Sequence, residues 1–255
     1  MGAESKSLEQ VWEEHYRGCA SDTVLKDRNF FRMEVDALLR ELVARTKGRP
    51  AGLRILELGS GTGFLAEAIV SALGREGICG IEYTGVDFSE EACSRATARG
   101  IQGCRFVPSD FLEFFSAPIH FDVIVSQRSI MAILDPVLQK ELLMLAKAAL
   151  LPRGLCLFSE GSSRGLAALT ALRTSLGVAT PFEKVWHSQY LDESLLCEVF
   201  PKLEIIEFCS AYWLITRVVY PYFEEPKHNT KLHDFAAGLA QDGPYGLVKL
   251  FVAEL

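Results

Sequence analysis

The stretch "LELGSGTGFL", residues 56–65, sets three glycines within five positions, directly behind the apolar run "LRILELG". A short apolar run rich in β-formers reads as a buried strand, and the helical pattern of "FLAEAIVSALGRE" follows at once. A strand turning through bare backbone into a helix is a place where a ligand approaches the main chain closely. Spacing narrows the ligand. A dinucleotide loop has the pattern G-x-G-x-x-G, but here the glycines are Gly59, Gly61 and Gly63, with Phe at 64, so the third comes one place early. A phosphate loop requires Lys then Ser or Thr, and no Lys follows. The class left is a nucleoside ligand without a phosphate. A tight strand–helix turn with no ligand is the alternative.

Outward from this stretch the chain alternates. Residues 7–20 and 30–46 have apolar residues at helical spacing, and "KGRPAG" ends the second helix. "YTGVDFS" is a strand leading to the helix "SEEACSRATARG", with Ser89 as N-cap, Glu90 and Glu91 in the first turn and Gly100 at the end. "CRFVPSD" and "FDVIVSQRS" are strands, "DPVLQKELLMLAKAAL" is a helix, and "PRGLCLFSE" is a fifth strand. Beyond it, "DESLLCEVF" reads as a helix capped by Asp192, "KLEIIEFCSAYWLITRVV" as one long strand and "YGLVKLFVAEL" as the last. Alternating strands and helices imply a mostly parallel sheet covered on both faces.

Composition excludes several classes. Hydrophobic residues make up 49% of the 255, enough for a full core, and the formal charge of −7 argues against a nucleic-acid or anionic-lipid partner. The seven cysteines are scattered and form no CxxC pair, which points to reduced thiols in the cytoplasm and to no metal site. The N-terminal residues carry no apolar signal segment, and no window is long and apolar enough for a membrane span.

"LELGSGTG" resembles the first motif of the class I S-adenosylmethionine-dependent methyltransferases, acidic-x-G-x-G-x-G. Further matches follow in order across residues 52–160: Asp87 ending the second strand, "FVPSDFLEF", "FDVIVSQRS" and the helix–Pro–x–Gly–strand "LLPRGLCLFSE". The resemblance implies a Rossmann-like α/β fold with a seven-stranded, mostly parallel sheet and an antiparallel last strand. It implies S-adenosyl-L-methionine as donor and S-adenosyl-L-homocysteine as product. Gly59, Gly61 and Gly63 would let the methionine part lie against the backbone, with contacts from Ser60 and Thr62, and Glu57 would face its amino group. Asp87 would accept the ribose hydroxyls and Phe88 would lie against adenine, or in the core. Asp110 would take the adenine amino group, beside the backbone N–H of Phe111. Ser126 and Gln127 would edge the reacting centre. Arg128 would hold an acidic substrate or pair with a local carboxylate. A metal-dependent catechol type would need a carboxylate cluster after the fourth strand, and "SQRSIM" has none.

"VWEEHYRG" and "LKDRNFF" resemble the lead-in of several small-molecule methyltransferases, and also the family making 3-methylcytidine in tRNA. Residues 1–48 are therefore expected to be a helical lid, with Trp12, His15 and Tyr16 over the cofactor, on a domain of residues 49–255. The alternative is that Trp12 and Tyr16, four apart, are one packing face. Insertions at about 161–190 and 220–244 would shape the acceptor pocket. The residues singled out there and on the long strand are His187, Tyr190, Arg217, Tyr220, Tyr222, His228 and His233. The expected activity is methyl transfer to a small molecule by a monomer or homodimer; the alternatives are a tRNA methyltransferase and a catalytically silent S-adenosylmethionine-binding protein.

Overall fold

The structure is a computed structural model that describes residues 8–18, 26–49, 52–178, 187–223, 225 and 227–255, with side chains described from residue 12 onward. Five parallel strands are built from apolar runs: β1 (Arg54–Leu58), β2 (Glu82–Asp87), β3 (Cys104–Pro108), β4 (Phe121–Gln127) and β5 (Leu150–Gly161). With β6 (Leu203–Ile206) and β7 (Val248–Glu254) they make one seven-stranded sheet of order β3-β2-β1-β4-β5-β7-β6. Only β7 is antiparallel, to β5 on one side and β6 on the other. The expected Rossmann-like sheet with an antiparallel last strand is present.

Successive strand residues serve opposite cores. Ile55, Val123, Val125, Leu155, Leu157 and Val252 pack under α2 (Arg28–Thr46) and α3 (Phe64–Arg75). Their neighbours Leu56, Leu58, Ile124, Cys156 and Phe158 pack under α6 (Pro136–Ala148) and α8 (Glu193–Val199). Such period-two burial on both faces is the reason the strands read as unbroken apolar runs. The sheet changes direction between β1 and β4, where Leu58 pairs with both Val86 and Ser126, so the ends of three strands line one crevice. Crevices of this kind hold the ligands of doubly wound sheets.

Helix ends follow local chemistry. Ser89 accepts from Ala92 N at the start of α4 (Glu90–Ala98), and Asp192 accepts from Ser194 N at the start of α8, as read from the sequence. Asp27 caps α2 by accepting from Phe30 N, so that helix begins two residues earlier than its apolar pattern. The helix expected at 7–20 is α1 (Leu8–Gly18), whose flanking residues lie outside those described.

One element differs in kind. Residues 202–219 were expected to be a single long strand. The strand stops at Ile206, and the chain becomes α9 (Ser210–Leu214), a π turn (Ile215–Val219) and α10 (Tyr220–Phe223). An apolar run with no polar alternation fits a buried helix as well as a strand. Here Gln241 Oε1 accepts from Tyr212 N at 2.9 Å, and Thr216 Oγ1 donates to Tyr212 O at 2.7 Å, contacts that favour the helix. In the two insertions lie α7 (Ser163–Ser175), with residues 179–186 outside those described, and α11 (Lys231–Ala237). Among the described residues no helix is long and apolar enough to cross a membrane, and six cysteines are free thiols.

Gly85 on β2 ties the sheet to the glycine turn. A Cβ there would stand 2.6 Å from the Phe106 ring and 2.7 Å from Ser60 Cβ. Gly85→Ala is expected to lower stability by about 1–3 kcal/mol in urea unfolding, the usual cost of overpacking. An unchanged midpoint would show that this contact has slack.

Candidate active site

The turn after β1 holds its shape through β2. The N–H groups of Gly59 and Ser60 both donate to Val86 O, at 2.8 and 3.0 Å. Gly59, Gly61 and Gly63 all have left-handed φ, near +73°, +48° and +77°. At Gly59 a Cβ would come 2.2 Å from Ser129 Cβ, and at Gly61 3.1 Å from the Tyr16 hydroxyl, so a side chain at either position is opposed by both torsion and space. The bare backbone is thus closely faced from two sides, by the loop after β4 and by α1. Ser60 is buried, and its hydroxyl has no hydrogen-bond partner among the described residues. Thr62 is buried as well, its carbonyl accepting from Arg99 Nε at 2.6 Å.

Two carboxylates lie beneath the turn. Asp87, 5% exposed, accepts from Gly61 N at 2.9 Å and Ser89 N at 3.0 Å. Burial raises its pKa, and those two bonds oppose the rise. Each oxygen takes one protein donor and keeps capacity for another. Glu57, 2% exposed, accepts from the Tyr83 hydroxyl at 2.7 Å. Burial pushes its carboxyl up to about 8, with the Tyr83 bond acting in the opposite direction. A buried, unpaired carboxyl beside a nearby anion is held neutral until a cation arrives.

Helix α1 lies over this pair. Glu13 hydrogen-bonds Ser89 Oγ, Arg95 Nη1 donates to Tyr16 O at 3.1 Å, and the Tyr16 hydroxyl reaches Gly61. Burial and the Asp87 charge raise the Tyr16 pKa, so the phenol stays protonated. Trp12 packs edge-on against His15 at 5.7 Å and His187 at 5.6 Å, and lies 6.4 Å from Tyr16. Four rings from two distant segments thus meet at one side of the crevice. Burial lowers the His187 pKa, favouring neutral imidazole.

Elsewhere the residues singled out by sequence occupy varied settings. Phe88 is half-buried after Asp87, and Phe111 is half-buried beside the core on the α6 side. Asp110 is exposed and caps the short helix α5 (Phe111–Phe114), accepting from Leu112 N and Glu113 N. Ser126 is fully buried and donates to Glu160, while Gln127 Nε2 donates to Glu34 at 2.8 Å. Arg128, at φ +57°, pairs with the same Glu34 oxygen at 3.1 Å, the local-carboxylate alternative. Tyr190 is buried against Gly161, and burial raises its phenol to about 12. Arg217 pairs with Asp27 at 2.9 Å and lies over the Trp213 ring.

The sequence reading passed over the groups that hold these residues. Glu34 is fully buried and accepts from Ser159 Oγ, Gln127 and Arg128. Its signal was present: Phe30, Glu34, Leu38 and Leu42 recur every four residues, so Glu34 sits in the phase of the core. Glu160, also fully buried, accepts the backbone N–H groups of Ser129, Ile130 and Met131 at 3.0–3.1 Å. These bonds counter the burial that pushes it up to about 7.

The raised Glu57 carboxyl has a consequence for stability. The folded protein keeps a proton there that the unfolded chain releases above its ordinary value of 4.5. The contribution is full below that pH and is lost as pH rises toward about 8, with a slope on the order of 1 kcal/mol per pH unit in between. Glu57→Gln is expected to flatten the fall in stability between pH 5 and 8, measured by thermal unfolding across that range. Parallel wild-type and variant curves would overturn the assignment.

Comparison with known proteins agrees with this geometry. Residues 50–192 match a family described as a methyltransferase domain. A Bacillus pumilus protein named an uncharacterized methyltransferase is 33% identical over 126 residues, 49% of this chain and 53% of the relative, so the match spans about half of that protein. Among solved structures, the N-methyltransferase NodS from Bradyrhizobium japonicum, in complex with S-adenosyl-L-homocysteine, has a TM-score of 0.60 at 16% identity, covering 97% of both chains. Magnesium protoporphyrin IX methyltransferase from Synechocystis, with bound S-adenosyl-L-homocysteine, has a TM-score of 0.59 at 13% identity, covering 96% of this chain and 95% of that one. These two likenesses are of fold. With more than half of its length matched by the family model, the chain belongs to the methyltransferase-domain family.

Proposed function

We propose that the protein transfers a methyl group from S-adenosyl-L-methionine to a small-molecule acceptor and releases S-adenosyl-L-homocysteine. The observation that carries this reading is the buried pair of carboxyl groups under the glycine turn, Glu57 accepting from Tyr83 and Asp87 with acceptor capacity on both oxygens. The pair suits a ligand with an ammonium at one end and a ribose in the middle. In this assignment the backbone at 59–63 carries the methionine part, joined by Ser60 and Thr62, and Glu57 takes the amino group. Asp87 accepts from the ribose, Phe88 and Phe111 flank adenine, and Asp110 meets its amino group. When bound, the sulfonium supplies an activated methyl.

What remains for the chain is to align the acceptor and exclude water, and such positioning is worth roughly 7–11 kcal/mol. Within residues 1–48 the lid is α1, with Trp12 and Tyr16 closing over the cofactor, while α2 packs in the core against the sheet. The segments at about 161–190 and 220–244 build the acceptor side, with His187, Tyr190, Arg128 and Arg217. A formal charge of −7 favours a metabolite over a polyanionic acceptor, and the abundance of free thiols suits a cytoplasmic monomer or homodimer. The Trp12–Tyr16 spacing and "KDR" element keep tRNA methylation as the second reading.

Release of S-adenosyl-L-homocysteine, measured with a cell extract as acceptor source, tests the proposal. Release that survives RNase is expected. Loss with RNase would favour tRNA, and binding without any release would leave a silent S-adenosylmethionine-binding protein. For the lid, Tyr16→Ala is expected to lower turnover far more than melting temperature, because closing elements couple to ligand more than to global stability. A variant that loses melting temperature and turnover in step would make Tyr16 an ordinary packing residue.

A further inference from the structure

A polar cluster stands outside the cofactor crevice, on the acceptor side. Asp27, 3% exposed, accepts from Tyr212 OH at 2.5 Å and Phe30 N at 3.2 Å through one oxygen, and from Arg217 Nη2 at 2.9 Å through the other. The Tyr212 and Phe30 hydrogen bonds and the Arg217 charge outweigh burial and lower its pKa, so it is a fixed anion. His228 places Nδ1 3.6 Å from the oxygen that Arg217 holds, with its side chain 45% exposed. His233 is fully buried; its Nδ1 is 2.9 Å from Thr230 Oγ1, and its Nε2 has no hydrogen-bond partner among the described residues.

The arrangement is built. Asn229, at φ +58°, accepts from Arg28 N through its side chain and donates to Lys26 O, both at 2.8 Å. Asn29 Nδ2 donates to Asp234 Oδ1 at 2.9 Å. The segment carrying His228 is thereby fastened to the start of α2 on both sides, which holds the imidazole toward Asp27.

Its place relative to the crevice follows from α2. Glu34 on this helix touches Gln127, Arg128 and Ser159 at the carboxyl ends of β4 and β5. Arg45, at the other end, pairs with Glu204 at the start of β6 and Glu254 at the end of antiparallel β7, the opposite edge of the sheet. The helix therefore points its N-terminus out past the strand ends. Asp27 precedes Glu34 by seven residues, two turns or about 10 Å, on nearly the same face. It stands beyond the β4–β5 end of the crevice, where an acceptor would enter.

Asp27, His228 and His233 offer three ligand atoms within 4.8 Å of one another, the geometry of a metal site. The guanidinium of Arg217 on the same Asp27 oxygen opposes a dication at that position. A fixed carboxylate beside a half-exposed imidazole instead fits an acid–base pair.

We propose that His228, oriented by Asp27, is the general base that takes the proton of a hydroxyl acceptor, making the reaction an O-methylation. An amine sheds its proton to water before it attacks, whereas a hydroxyl must lose it during attack. The acceptor oxygen bonds to the methyl carbon, the carbon–sulfur bond breaks with its electron pair returning to sulfur, and the hydroxyl proton passes to His228 Nε2. Asp27 stabilises the imidazolium, and solvent removes the proton from the exposed ring. The groups against His228 are Asp27, the cap of α2, which also holds Arg217 of the π turn, and His233 on α11. This inference rests on the methyltransferase reading above.

Nitrogen-15 NMR of the imidazoles, with His228→Gln for assignment, provides a readout independent of turnover. His228 is expected as the Nδ1–H tautomer, a preference that Asp27→Asn should weaken. An Nε2–H tautomer, or a tautomer preference indifferent to Asp27→Asn, overturns the pair. In turnover with the low-molecular-mass fraction of a cell extract, His228→Gln is expected to lower kcat about 10²–10⁴-fold. Calorimetric affinity for S-adenosyl-L-homocysteine should stay unchanged in the same variant. Turnover within twofold of wild type overturns the base. Wild-type protein that releases no product overturns the methyltransferase reading, and the base with it; that result is seen before any variant is made.

Discussion

The carboxylate of Glu34 fixes the acceptor side of the molecule. It has no solvent contact and is satisfied by Ser159, Gln127 and Arg128. A buried charge with its donors in place is tolerated, but removing one partner leaves it uncompensated. This one group fastens α2 to the ends of β4 and β5. It also holds Arg128 at a left-handed φ, which turns the chain so that the next three N–H groups point at Glu160. Two buried carboxylates, one on a helix and one on a strand, thus set the path of the loop after β4. The Ser129 side chain in that loop faces Gly59 of the glycine turn, so the positions of the two halves of the crevice depend on each other.

The two halves are held by different kinds of contact. On the donor side a turn, a strand end and a helix cap lie within some thirty residues of one another, and every donor is a backbone N–H: Gly59 and Ser60 to the Val86 carbonyl, Gly61 and Ser89 to the Asp87 side chain. On the acceptor side the partners lie far apart. Asp27 meets Tyr212 and Arg217 across some 190 residues, and Glu34 meets Ser159 across 125. A scaffold of this kind keeps the shared ligand in local geometry and leaves the variable ligand to long-range packing.

That contrast explains what could be read from sequence. The parallel strands, the cap at Ser89 and the glycine turn were legible because each is written in a few neighbouring residues, whereas the antiparallel last strand came with the family resemblance. The run at 202–219 was not, because continuous apolarity suits a buried strand and a buried helix alike, and a glutamine at 241 bears on which one forms. Arg128 was expected to hold an acidic substrate or pair with a local carboxylate, and Arg217 to line the acceptor side; Glu34 on α2 matches the first and Asp27, the cap of α2, the second. Glu34 and Asp27 were not singled out from the sequence. Their partners depend on the tertiary fold.

The position of β7 bears on how the chain is made. β6 emerges from the ribosome some forty residues before β7, yet β7 lies between it and β5. When β6 is synthesised its place at the edge of the sheet cannot be taken up, because the strand it pairs with does not exist. The exposed side of β5 has to wait for the same segment. Five parallel strands can assemble in order as translation proceeds, but the sheet closes only when residues 248–254 insert between two elements already made. The nascent protein therefore carries an open sheet edge through the whole synthesis of 162–247, a window in which β5 is exposed to strand addition by other chains.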